Sequence, residues 1–322
     1  MDVMQKLLDY KAIVDLELEK FFDDMIEEVG NPDDPYSIYL SFLKEFTLRG
    51  GKRIRPAFTY YGYLLFADRI NPDEEADINI DKVISTSILH ELRQAFYLGH
   101  DDIVDKSGKR RGGLSLHKMF EELYLKQDGI SPKEIEELGR SRGIFAGDLA
   151  NTLVYRAIIK ANLPIEKKDA ISDILVYAEL DTLHGQSLDL ESGITPEMQT
   201  EKELLKIHEL KSAVYTIKSP LQIGAVLAGA TEEEQKILNK YAIPLGVAFQ
   251  VQDDNLGLFG DKEIGKPADS DLKEGKKTLL MIKALEKGDD LERNVIYYCL
   301  GNQDIDSDMI EDVRDIVKST GS

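Results

Sequence analysis

The sequence predicts an all-α protein. Apolar residues recur at helical spacing along most of the chain, and glycine- and proline-containing breakers divide them into helix-length pieces. Alternating strand patterns are scarce, and no low-complexity linker longer than a few residues interrupts the series. The 322 residues are therefore expected to form one helical domain, 1–322.

The first helix is expected over 5–29, stopped by Gly30-Asn31-Pro32 and packed on a core spanning about 35–317. Residues 35–48 form the second, ended by Gly50-Gly51. Pro56 stands near the start of a third that runs to about Ala67, where proline is tolerated. Asn71-Pro72-Asp73 reads as a turn, a long helix follows over roughly 77–105, and Ser107 to Gly113 leaves it as a loop. Further helices fit 115–126, 132–160, 166–190, 200–217, 219–229, 231–257, 272–287, 289–300 and 306–318. Ser131-Pro132, Leu163-Pro164, Ser192-Gly193 and Lys287-Gly288 separate most of them, and Ser219-Pro220 reads as a helix start. Pro244 falls inside 231–257 and is expected to kink it. Pro220 to Ala228 is apolar on more than one face, which puts it in a core or at an interface.

Composition narrows the function. Hydrophobic residues at 42 % and charged residues at 31 % fit a globular protein with a sizeable core. A net charge of -20 argues against a nucleic-acid partner. The one cysteine, Cys299, cannot form an internal disulfide and sits in an apolar run. No apolar stretch is long enough for stable membrane insertion. The opening Met1-Asp2-Val3-Met4 turns acidic, unlike a signal peptide, so a cytoplasmic location is expected.

Asp101, Asp102 and Asp105 are the sharpest local feature. They close an apolar stretch, Ala95 to Gly99, instead of lying in an acidic run. On a helix, Asp101 and Asp105 share a face about 6 Å apart along the axis. Facing carboxylates at that spacing need a cation between them, and hard oxygen ligands suit Mg²⁺ together with substrate phosphates. A solvated acidic helix end is the ordinary alternative. Asp253 and Asp254 form a second cluster, again after an apolar helical run. Two such clusters facing each other across a bundle can hold a diphosphate through three Mg²⁺ ions, and metals and cations assist its departure from an allylic carbon. The basic residues accompany these clusters: Lys52 and Arg55 around Gly50-Gly51, Arg110 and Arg111 after the first cluster, Lys266 and Lys276 after the second. The Gly50-Gly51 stretch lacks the pattern of a phosphate loop. His90 and His184 read as structural, His100 adjoins the first cluster, and no histidine pair has zinc spacing.

Five segments, Gly50 to Pro56, Glu91 to Gly112, Gly185 to Leu190, Lys211 to Thr216 and Gly246 to Thr278, resemble in order and separation the trans-type polyprenyl diphosphate synthases, which include farnesyl and geranylgeranyl diphosphate synthases. The resemblance implies the isoprenoid synthase fold, a helical bundle around a central cavity. It implies that Asp101, Asp105 and Asp253 hold three Mg²⁺ ions, with Asp102 and Asp254 completing the two motifs. Arg110, Lys211 and Lys266 would contact an allylic diphosphate (dimethylallyl, geranyl or farnesyl). Lys52, Arg55, Arg111 and Gln94 would bind isopentenyl diphosphate, with Lys276 near the diphosphates. Gln186, Gln250, Thr216 and Phe249 would line the cavity and the hydrocarbon path. A homodimer is also implied.

Two departures stand out. Gln94 replaces a histidine common in the family, and Gly257 replaces the last aspartate of the second motif. The implied reaction is ionisation, condensation and elimination, with the departing diphosphate as proton acceptor. Phe96 and Tyr97, five and four residues before Asp101, are expected to floor the hydrocarbon tunnel and to exclude products of thirty carbons or more. Geranylgeranyl diphosphate is the expected product, ahead of farnesyl diphosphate. A terpene cyclase is disfavoured by Lys52, Arg55 and Arg111. A low-activity subunit of a heteromeric synthase is favoured only by Gly257, and a structural scaffold leaves the converging motifs unexplained.

Overall fold

A computed structural model describes residues 3–69, 79–125, 127–195, 197–260 and 270–322. The chain begins with α1 (Val3–Val29), α2 (Pro35–Leu48), α3 (Ile54–Leu64), α4 (Ile80–Ser87) and α5 (Leu89–Val104). A two-stranded hairpin, β1 (Lys109–Arg110) and β2 (Gly113–Leu114), precedes α6 (Leu116–Glu122), α7 (Pro132–Lys160) and α8 (Ile165–Ile194). Then come α9 (Glu201–His208), a π-helical segment (Glu209–Lys218), α10 (Ser219–Leu227) and α11 (Glu232–Phe259). The short α12 (Ser270–Lys273) leads to α13 (Leu279–Lys287), α14 (Asp290–Cys299) and α15 (Ser307–Ser319). The fold is the helical bundle the sequence predicts.

The chain forms two compact units, residues 1–173 with 220–232, and residues 174–219 with 233–322. In the first unit, α7 packs along α5 and α6. The approach is close because α7 carries Gly139, Gly143 and Gly147, one per helical turn. A Cβ at these positions would collide with Glu121, His117 and His100 respectively. The apolar segment 220–228 is core here: Ile223, Ala225, Leu227 and Ala228 are fully buried. Gly224 lies against the Thr59 carbonyl and Gly62 against the Leu221 carbonyl, so α3 and α10 touch backbone to backbone. In the second unit, Leu258, Met281, Ile296, Cys299 and Val313 belong to one buried cluster joining α11, α13, α14 and α15.

Several boundaries differ from expectation. The helix expected over 77–105 is interrupted at Ile88. Thr86 and Ser87 hydroxyls bond back to the Lys82 and Ile84 carbonyls, and such local bonds compete with the helical ladder. The loop after α5 contains the hairpin, turned by Arg111 and Gly112, both at positive φ. Ser192-Gly193 does not stop α8, which runs to Ile194. The stretch 272–287 is split by Gly275 at φ 77°. α10 begins at Ser219 as expected, but the π-helical segment runs directly into it without a break. As expected, α11 is one helix with Pro244 inside it. The turn expected at Asn71-Pro72-Asp73 lies outside the described residues.

Candidate active site

The first carboxylate motif lies at the C-terminus of α5. The Asp105 N–H bonds the Asp101 carbonyl at 2.8 Å, so these two residues are one helical turn apart on one face, both partly exposed. Asp102 points the other way and is fully buried. Its Oδ1 accepts from Arg110 Nε at 2.8 Å and from Arg110 NH2, which also lies 3.7 Å from Asp101 Oδ2. Burial opposes the Arg110 charge, yet hydrogen bonding to Asp102 and the field of Asp101 and Asp105 hold its pKa above the ordinary value. The structure thus divides the motif: Asp101 and Asp105 face outward, while Asp102 anchors Arg110.

The Gly50-Gly51 loop lies beside the hairpin. Gly50 and Gly51 have φ of 70° and 97°, which glycine enters without strain, and Arg53 also stands in the left-handed region at 51°. The Arg111 guanidinium lies 3.2 Å from where a Gly51 Cβ would sit. Burial and the charges of Arg53, Arg55 and Arg110 push the Arg111 pKa down, against the pull of Glu91. Four guanidiniums therefore share one neighbourhood in a strongly acidic chain, with Lys52 exposed at its edge. Such a concentration of guanidiniums suits an anionic group. Gln94 is buried on α5 with its Oε1 lacking a hydrogen-bond partner. Phe96 and Tyr97 are half-buried, with ring centroids 4.9 Å apart, and His100 meets the Phe96 ring edge-on at 5.0 Å.

Arg53, which the sequence reading passed over between Lys52 and Arg55, supports this loop. Its side chain is fully buried and pairs with Glu91 and with Asp15 at 2.6 Å, while NH2 donates to the Thr47 carbonyl at 2.9 Å. Arg49 was also missed. It donates to the Leu114 carbonyl at 2.6 Å and fills the space beside Gly113, bracing the hairpin.

The second motif lies on α11. Gly185 of α8 packs against the backbone at Leu210 and Lys211, and Gly246 of α11 against Ala213, so both helices close on the π-helical segment. Asp253 is exposed. Asp254 is held at both oxygens: Gln250 Nε2 donates to Oδ1 at 3.0 Å and His208 Nε2 lies 3.3 Å from Oδ2. Ser212 donates to Gln250 Oε1 at 2.6 Å, completing the chain. His208 was not singled out from sequence, and its position three residues before Lys211 is the one signal that could have found it. Lys211 pairs with Asp189, Thr216 is buried, and Phe249 is exposed. Lys276 pairs with Asp271 at 3.1 Å and Glu274 at 2.8 Å. Lys266 lies outside the described residues.

The donor set fits magnesium. Among the described residues, no three acidic, histidine or cysteine side chains converge into a closed metal cage. Mg²⁺ does not need one: it takes one or two carboxylates, keeps waters and completes its shell with substrate phosphates. Asp101 and Asp105, a turn apart and backed by guanidiniums, present that incomplete oxygen set.

A family model described as Polyprenyl synthetase matches residues 37–317. A short chain isoprenyl diphosphate synthase of Methanocaldococcus jannaschii is 31 % identical over 305 residues, covering 94 % of this chain and 81 % of the relative. A geranylgeranyl diphosphate synthase of Sulfolobus acidocaldarius is 30 % identical, covering 94 % and 83 %. Among solved structures, a geranylgeranyl pyrophosphate synthase from Corynebacterium glutamicum, complexed with isoprenyl diphosphate and magnesium, superposes with a TM-score of 0.88 at 29 % identity, covering 100 % of this chain and 88 % of its own.

Proposed function

We propose geranylgeranyl diphosphate as the product of this chain, which belongs to the polyprenyl synthetase family and is a magnesium-dependent prenyltransferase condensing isopentenyl diphosphate with allylic diphosphates. In our reading, Asp101, Asp105 and Asp253 hold three Mg²⁺ ions. These ions, when bound, neutralise the charge that develops on the leaving diphosphate. Arg110, Lys211 and Lys266 bind the allylic diphosphate, and Asp102 keeps the Arg110 fork aimed. Lys52, Arg55, Arg111 and Gln94 hold isopentenyl diphosphate. Thr216, Gln186, Gln250 and Phe249 border the cavity, and Lys276 stands near the diphosphates.

The allylic carbon–oxygen bond breaks, the isopentenyl double bond attacks the resulting cation, and a carbon–carbon bond forms head to tail. The proton released in closing the new double bond goes to the departed diphosphate, so no side chain acts as general base. The apolar walls exclude water that would capture the cation.

The Phe96–Tyr97 pair supports a limited chain length, and the compact loop between Asp105 and Arg110 with the Gly257 form of the second motif favours C20 over C15. Two rings in contact on α5, one turn and slightly more before Asp101, leave room for a chain of limited length. The same contact favours the second reading, farnesyl diphosphate, if both rings block the path. The test is chromatography of dephosphorylated products from wild type and the Phe96→Ala/Tyr97→Ala variant. We expect C20 from the first and longer chains from the second. Equal chain lengths refute the tunnel floor, and a wild-type product fixed at C15 refutes the C20 assignment.

We further propose a cytoplasmic homodimer working as one catalytic domain. The dimer is supported by the exposed apolar residues Ile144, Phe145, Tyr155 and Ile159 along α7. No helix among the described residues is long and apolar enough to cross a membrane.

A further inference from the structure

Arg110 and Arg111 are consecutive, yet they turn to different partners. The Arg110 fork faces Asp102 and Asp101, while the Arg111 side chain lies over Gly50 and Gly51. The peptide joining the two residues sets how far apart they aim. Arg111 leaves that peptide at a φ of 52°, in a region that L side chains seldom enter. The hairpin around it pairs only Lys109 with Leu114 and Arg110 with Gly113, and so short a ribbon does not hold its own geometry in water.

Arg49 holds it from outside. Its Nη1 donates to the Leu114 carbonyl at 2.6 Å on one strand, and to the Arg110 carbonyl at 3.4 Å on the other. The Arg110 carbonyl belongs to the peptide between the two arginines. Nη2 donates to Glu45 Oε1 at 2.6 Å and reaches Met119 Sδ of α6 at 3.6 Å, which fixes the plane of the guanidinium. The Arg49 N–H donates to the Glu45 carbonyl at 3.0 Å, closing the last turn of α2, so the backbone that carries this side chain is anchored too. Gly113 makes room for the contact. A Cβ there would collide with the Arg49 guanidinium, although the Gly113 backbone is not at positive φ and would accept alanine.

We infer that Arg49 is a positioning residue for substrate binding: it pins the hairpin so that Arg110 and Arg111 face two different diphosphates, and Gly113 is the small residue that admits it. The inference rests on the prenyltransferase reading and deepens it. Arg49 acts through the two arginines and not on a substrate.

Steady-state condensation with radiolabelled isopentenyl diphosphate and an allylic diphosphate tests this. Arg49→Met should lower kcat/KM for isopentenyl diphosphate by roughly 10–100-fold, since a small misplacement of a binding group costs on that order. In an Arg111→Met background the same change should cost less than about 3-fold more, because residues that act through one another are not additive. A merely structural role would instead multiply the two losses. Gly113→Ala keeps every charge but displaces the guanidinium, so it should lower kcat/KM in the same way, and it serves if Arg49→Met fails to fold. Wild-type kcat/KM in a folded Arg49→Met, beside a defective Arg111→Met, overturns the inference and spares the prenyltransferase reading. Losses that multiply in the double variant also overturn it. Wild-type kcat/KM in Arg111→Met overturns it together with the role given to Arg111. No condensation by the wild type with any allylic diphosphate overturns the reading beneath it.

Discussion

Replacing Arg53 with methionine removes the charge at the centre of the Gly50-Gly51 loop. Glu91, only 3 % exposed, and the Thr47 carbonyl lose their Arg53 partner, while Asp15, a quarter exposed at its side chain, keeps Lys11. Breaking a buried pair by removing one member costs about 3–5 kcal/mol, because the remaining charge stays buried. Two features set the expectation at the lower end. Asp15 can regain water, and Arg111 lies close enough to Glu91 to share its charge. Methionine keeps the left-handed φ of 51° no worse than arginine does, so backbone strain adds nothing. We therefore expect a loss of about 3 kcal/mol in urea unfolding followed by circular dichroism. The double variant Arg53→Met/Glu91→Met should recover most of that loss, since an apolar pair of similar volume avoids burying charge at all. A single-variant loss below about 1 kcal/mol, the range of an exposed pair, would refute the claim that this pair is a buried anchor.

Asp101→Ala should lower condensation by at least roughly 10²–10³-fold while leaving the thermal midpoint unchanged, measured with radiolabelled isopentenyl diphosphate. Gly224→Ala should destabilise by about 1–3 kcal/mol in thermal melts, because its methyl would press on the Thr59 carbonyl where α3 and α10 touch. Burial pushes the His117 pKa down to about 4, with Lys118 and Arg140 adding to it, so the folded ring stays neutral while the unfolded chain takes up a proton near 6.5. Stability should therefore fall as pH drops from about 6.5 to 4 and level off below, by roughly 2 kcal/mol for this ring once partial hydration is allowed for. His117→Gln should flatten melting temperature against pH across that window.

What was legible in the sequence was local. The α7 boundaries came out correctly because Ser131 caps the helix and Glu134 reaches back to the Ser131 N–H at 2.9 Å, a device written into four consecutive residues. Asp101 and Asp105 were visible for the same reason: one helical turn is a sequence spacing. The hydroxyl bonds that interrupt the helix at Ile88 leave no trace in apolar periodicity. The role of Arg53 depends on Asp15 and Glu91, each 38 positions away. His208 reaches Asp254 across 46 positions, and Asp271 meets Gly257 across 14, neither of which a pattern of residue types records.

The wide helical turns of Glu209–Lys218 bear on which length changes the chain can accept. A π-helix bonds each residue to the fifth along, so residues five apart share a face. In an α-helix they would be turned roughly 140° from each other. Lys211 and Thr216 are such a pair, and the looser winding aligns an ammonium and a hydroxyl along one side of the segment. Deleting one residue inside it would let the helix tighten into the commoner form and strengthen its hydrogen bonds. If the lost residue lies between Lys211 and Thr216, the two groups become four apart on an α-helix and stay on one face; if it lies elsewhere in the segment, they stay five apart and turn away from each other. The position of a lost residue within the least regular stretch of helix thus decides whether a shorter chain keeps this pair together.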